Sequence, residues 1–128
     1  MHARVRSSVV DPKAEQDLSV IAMEGVDGVG ASSAASSVSS SPTVDLQTTK
    51  STSLVFALGD GGSPTGPTLP AGWVQMDKWT SGAGAGTSWV QFYNDPIGTA
   101  RTTVTVKDGE AATSSWSMVA VELKGDGD

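Results

Sequence analysis

Ser117-Met-Val-Ala-Val-Glu-Leu-Lys-Gly-Asp126 sets small and β-branched residues in two-residue alternation, then ends on an acid and a Gly/Asp turn. Such a period lays successive side chains on opposite faces of a strand. Nearly the same stretch stands earlier, as Ser19-Val-Ile-Ala-Met-Glu-Gly-Val-Asp-Gly28. Each copy follows a shorter valine strand and a polar turn, over residues 5–11 in one case and 102–108 in the other. A strand pair written twice predicts a β-architecture of two related halves. The first copy has little chain ahead of it, so the sequence reads as one whole half plus the tail of another. That arrangement hints at assembly between chains.

Outward from these copies, period-2 patterns between Gly, Pro, Ser and Asp punctuation predict eight strands. They cover residues 3–10, 18–24, 43–46, 53–58, 73–79, 88–93, 102–107 and 116–123. No helical stripe emerges, and residues 14–18 have room for one helical turn at most. The run Gly59-Asp-Gly-Gly-Ser-Pro-Thr-Gly-Pro-Thr-Leu-Pro-Ala-Gly72 reads as a long loop, in which glycine supplies positive φ and proline fixes the chain. Ser81-Gly-Ala-Gly-Ala-Gly86, Asn94-Asp-Pro96 and Lys107-Asp-Gly109 read as further turns. Residues 28–41, ending in Ser32-Ser-Ala-Ala-Ser-Ser-Val-Ser-Ser-Ser41, carry too little apolar matter to offset ordering entropy. They are expected to form a flexible Ser-rich seam between the half-repeats. The whole predicts one all-β domain over residues 1–128, a two-sheet antiparallel sandwich of jelly-roll type with about eight strands. A fibronectin- or immunoglobulin-like sandwich is the alternative, though the Cys–Trp–Cys signature of immunoglobulin domains is missing.

Composition fits that architecture and removes several functions. Of 128 residues only 17% are charged and 5% aromatic, and 15 are glycine. The net charge of −6, with eight scattered basic residues, opposes nucleic-acid binding, which needs clustered Lys and Arg. The absence of cysteine excludes disulfides, thiol nucleophiles and thiolate metal sites. No stretch approaches the roughly 20 apolar residues of a membrane-spanning helix. Met1-His-Ala-Arg-Val-Arg6 is basic but has no apolar run behind it, so no signal peptide is read there.

From Ser53 onward the motifs follow a definite order, though they are structural and only moderately specific. It runs Leu54-Val-Phe-Ala-Leu-Gly-Asp60, a Pro/Gly loop, Pro70-Ala-Gly-Trp-Val74, Gly86-Thr-Ser-Trp-Val-Gln-Phe-Tyr93, Thr102-Thr-Val-Thr-Val106 and Ser115-Trp-Ser-Met-Val-Ala-Val-Glu-Leu123. This order resembles β-sandwich modules of large bacterial surface or secreted proteins, and similar modules of phage tail proteins. A full module of that group carries both halves. The resemblance implies a non-catalytic adhesive, carbohydrate-binding or spacer module in a secreted or cell-surface parent, and brings no catalytic residues.

The residues themselves offer three kinds of chemistry. Alternation places Trp73, Gln75, Asp77 and Trp79 on one face of a strand, with Val74 and Met76 opposite. The next strand puts Trp89, Gln91 and Tyr93 on one face, with Val90 and Phe92 opposite. With the aliphatic faces inside, the mixed faces form a platform of aromatic rings, amides and a carboxylate suited to a glycan. The plainer alternative is that these tryptophans fill the core, as is expected of Trp116. Calcium is the second candidate. Asp-Gly turns at Asp27, Asp60, Asp108 and Asp126 supply oxygens, Asp60 foremost, although no EF-hand spacing is present and Asp-Gly is also a hairpin turn. The third, ranked last, is a hydrolase running on Glu24 and Glu122, which hold equivalent repeat positions; solvated strand ends are the favoured explanation of both. The lone histidine, His2, has no plausible triad. A homo-oligomer built by strand exchange or edge pairing is expected from the missing half.

Overall fold

The computed structural model describes residues 4–11, 13–63, 65–82, 86–109 and 115–127. His2 lies outside them. Seven strands are described: β1 (Val26–Ser37), β2 (Thr43–Gln47), β3 (Leu54–Gly61), β4 (Trp73–Thr80), β5 (Thr87–Tyr93), β6 (Thr103–Lys107) and β7 (Trp116–Gly125). A five-stranded antiparallel sheet runs in the order β1-β7-β3-β5-β4, and β2-β6 form a second sheet. The all-β, two-sheet expectation holds. The small sheet lies over β1 and β7, where Val44, Leu46 and Val106 meet Val55, Ala57, Trp89, Trp116, Met118 and Ala120.

β7 is the strand on which this arrangement turns. Its register sets Ala120 opposite Ser33 of β1 and Ala57 of β3, and Met118 opposite Ala35 and Gly59, so small residues line up across the three strands. Met118, Ala120 and Glu122 point inward and are fully buried, while Val119 and Val121 take the other face. Gly59 of β3 faces Trp89 of β5 and Met118 of β7. A Cβ there would fall 2.1 Å from Trp89 Cζ2; the indole occupies the space that glycine leaves, which is how glycine inside a strand admits a close neighbour.

Two sequence expectations fail. Residues 28–41, expected as a loop, mostly form β1, which pairs with β7 along its length. Ala31 and Ala35 pack against the core, and Ser33 and Ser37 share their half-buried face. The stretch follows a two-residue period written in small residues, so it buries close backbone rather than bulk, and low hydropathy concealed it. Residues 4–10 and 18–24, both expected as strands, enter neither sheet and are exposed throughout. The two copies of the repeat therefore have different fates: one is an interior strand of the large sheet, whereas residues 19–24 of the other lie outside it and its last residues open β1.

Candidate functional site

The β4–β5 pair carries the residues expected to hold a ligand, and the structure divides them. Trp89 and Gln91 are buried, at 3% and 0% exposure. Both donate to the carboxylate that follows β6: Trp89 Nε1 to Asp108 Oδ2 at 3.1 Å, and Gln91 Nε2 to Asp108 Oδ1 at 2.9 Å. Burial pushes the Asp108 carboxyl above the ordinary carboxylate range, against the opposing pull of the Gln91 and Trp89 hydrogen bonds. Gln91 Oε1 has no hydrogen-bond partner in this cluster. The cluster fastens the β6 end to the large sheet and presents nothing to solvent.

On β4 the alternation breaks. A register shift between Gln75 and Asp77 turns the strand over, as an extra residue in one strand of a pair does. Trp73 and Gln75, opposite Tyr93 and Gln91, lie on the core side. Asp77 and Trp79, opposite Val90 and Ser88, lie on the outer side. The single platform of Trp73, Gln75, Asp77, Trp79, Trp89, Gln91 and Tyr93 is therefore not formed. What remains on the inner rim is a half-buried pair, Trp73 and Tyr93, with ring centroids 5.5 Å apart at 56°, beside an exposed Gln75.

Asp60, the calcium candidate, sits near the end of β3 and accepts a hydrogen bond from Ser88 Oγ at 2.9 Å. Among the described residues no three acidic or histidine side chains converge on a metal position. The carboxylate pair separates as well. Glu24 is exposed, whereas Glu122 is 0% exposed. Five donors close on Glu122: Ala31 N (2.8 Å), Thr49 N (2.8 and 3.0 Å to the two oxygens), Thr49 Oγ1 (2.8 Å), Lys50 N (3.1 Å) and Ser53 Oγ (2.6 Å). Burial raises its pKa, but the bonds from Ser53, Ala31 and Thr49 outweigh that and hold it down at about 2. Such a carboxylate neither reaches a substrate nor carries a proton at neutral pH. Its work is structural: it pins the β2–β3 connection and the middle of β1 to β7. Gly30 leaves the room, since a Cβ there would fall 2.1 Å from Glu122 Oε2.

With Glu122 and Asp108 both committed to internal hydrogen bonds, the open face of the large sheet is the remaining candidate. The outer face of the large sheet carries Leu58, Val74 and Val119, each 40–47% exposed, and Met76 joins them at the bulge with 43%. Beneath them Phe56 and Phe92 stack, with centroids 5.6 Å apart at 25°. The N-terminal segment borders this face. Ser19 Oγ donates to Asp77, Ser81 Oγ donates to Glu15 Oε2 at 2.7 Å, and Ser19, Val20 and Ile21 form a groove with Met76 and Val90. Leu18, Val20, Ile21 and Met23 are themselves exposed. No protein-family model, curated protein or solved structure matches this chain.

Sequence reasoning named both carboxylates but placed Glu122 at a solvated strand end or in a catalytic pair and Asp108 in an open turn, and so missed their burial. A signal for one was present: Thr48-Thr-Lys-Ser-Thr-Ser53 is dense in hydroxyls between two strands, as a loop built around an anion is. For Asp108 there was none, because Lys107-Asp-Gly109 has the form of any Asp-Gly turn.

Proposed function

We propose that this chain is a non-catalytic interaction module of an exported bacterial protein, and that it associates with a second copy of itself through the outer face of its large sheet. The observation that carries this reading is the run of Leu58, Val74, Met76 and Val119 on one open face, continuous with the exposed apolar residues of the N-terminal segment. Contiguous exposed apolar surface of this kind marks interaction sites on soluble proteins. The resemblance to surface and phage-tail modules supports a secreted or cell-surface parent. The two buried carboxylates favour a non-catalytic role, since both are spent on holding the fold.

Light scattering over a concentration series tests this. The unaltered chain is expected to form dimers or larger species at high micromolar concentration, and L58K/V119K to remain monomeric with its cooperative unfolding intact. An unaltered chain that stays monomeric throughout that range would sink the reading.

A glycan remains as the second ligand class, supported by the Trp73–Tyr93 pair with the exposed Gln75 beside it. Two tilted rings next to an amide suit one sugar face and its hydroxyls. Tryptophan fluorescence titrated with polysaccharides, on the parent and on Gln75→Ala, checks it: a saturable shift weakened several-fold by the substitution is expected, and no shift with any polysaccharide removes the reading.

A further inference from the structure

Residues 19–24 repeat residues 117–122 position by position. Ser, Ala and Glu recur at the first, fourth and sixth places; Val20 replaces Met118, Ile21 replaces Val119 and Met23 replaces Val121. The structure shows what those positions do in β7. Ala120 is the closely packed residue beneath the second sheet, Glu122 is the anchor held by five donors, and residues 119 and 121 form the outer face. Of the three unchanged residues, Ala and Glu are the buried ones with the least tolerance, whereas the serine is exposed in β7. The exchanged ones are all aliphatic or Met for aliphatic, which packed interiors accept.

In residues 19–24 none of those requirements is met. Every one of them is exposed, Glu24 included, and the segment runs straight into β1 without entering either sheet. An acid placed in register with an inward alanine has no use on an open segment. Both have a use in a slot lined by a β1-type and a β3-type strand.

We infer that residues 19–24 are a second closing strand of the β7 type, a donor strand whose place is the middle of another sandwich of this same fold. In that slot Val20, Ala22 and Glu24 face inward, Ile21 and Met23 face outward, and Glu24 enters a cage of backbone N–H groups and hydroxyls like the one around Glu122. The partner is thus a further copy of this fold. In its choice of partner the inference rests on the interaction-module reading above, yet it uses residues other than Leu58 and Val119.

Two pairs of variants of the full chain test it, read by thermal unfolding. M118V/V119I/V121M writes the N-terminal copy into β7. It is expected to unfold cooperatively within about 10 °C of the parent, the equivalent of a couple of kcal/mol at most for a chain of this size. Its control enters the same six residues one position later, over residues 118–123, which drops Ile onto Ala120 and Met onto Glu122; this variant is expected to have no cooperative transition. Ala22→Asp is expected to leave the midpoint unchanged, whereas Ala120→Asp abolishes folding. The inference is overturned if the register-matched transplant does not fold, if the shifted control folds equally well, or if Ala22→Asp destabilises the chain as Ala120→Asp does. The last result would make the segment part of the sandwich it precedes. Self-association of the parent is read separately, so loss of the outer-face reading and loss of the donor-strand reading are distinguishable.

Discussion

Glu122 and Asp108 are two buried carboxylates whose pKa values are displaced in opposite directions. Glu122 has a folded pKa of about 2 against an ordinary 4.5, so its stabilisation is fully present above pH 4.5 and is lost as pH falls through 4.5 toward 2. A shift of that size corresponds to about 3 kcal/mol. Asp108 is raised above 3.8, so the folded state takes up its proton first, and stability from this group rises as pH falls through its folded value. The expected pH–stability curve, measured by denaturant titration, climbs as falling pH protonates Asp108 in the folded state and drops as pH falls from 4.5 toward 2. Glu122→Gln is expected to cost about 3 kcal/mol at pH 7 and to flatten the acid drop, while Asp108→Asn is expected to flatten the climb. A curve in which Glu122→Gln leaves the acid limb unchanged would show the cage to be energetically idle.

At the scale of elements, legibility in the sequence followed side-chain size. β3, β5, β6 and β7 were evident because bulky apolar residues alternate in them. β1 was not, since Ala31, Ser33, Ala35 and Ser37 write the same period in small letters, and small residues signal close backbone only once their neighbours are known. The β4 bulge was equally silent: nothing in Gln75-Met-Asp77 announces an extra residue, yet it moves Asp77 and Trp79 to the opposite face from Trp73. Trp89 was ambiguous for a different reason. Its burial depends on Gly59, which lies 30 positions away (89 − 59) but directly opposite in the sheet. Gly59→Ala is expected to destabilise by about 1–3 kcal/mol through overpacking and to shift tryptophan emission to the red. Unchanged emission and unchanged denaturation midpoint would mean that the indole has other room.

For the molecule as a whole, the division lies between residues 4–25 and the sandwich that starts at Val26. The former are exposed at every described position; the latter contains all of the core. Limited trypsin digestion is expected to cut after Arg4, Arg6 and Lys13 before any site in the sandwich, and the product is expected to keep the parent unfolding midpoint within a few degrees. Fragmentation inside β1–β7 at an equal rate would contradict that division. The sequence repeat made the two regions look alike, because a strand pattern records what a segment is able to pair with and not whether its partner is near.

β7 lies between β1 and β3, yet of the seven strands it is the last to leave the ribosome. Until its ten residues emerge, β1 has no neighbour in the large sheet, β3 has an open edge, and the β2–β3 connection surrounds no carboxylate. Assembly of the large sheet therefore waits for the end of synthesis, and most of its pairings span long stretches of chain, a topology that folds slowly. Throughout that wait residues 19–24, made early and sharing Ser, Ala and Glu with residues 117–122 of the missing strand, would, on the donor-strand inference, be a rival for the same gap. Crowded translation of this protein is expected to trade closing strands between neighbours, and slowing the ribosome just short of residue 116 is expected to increase the traffic.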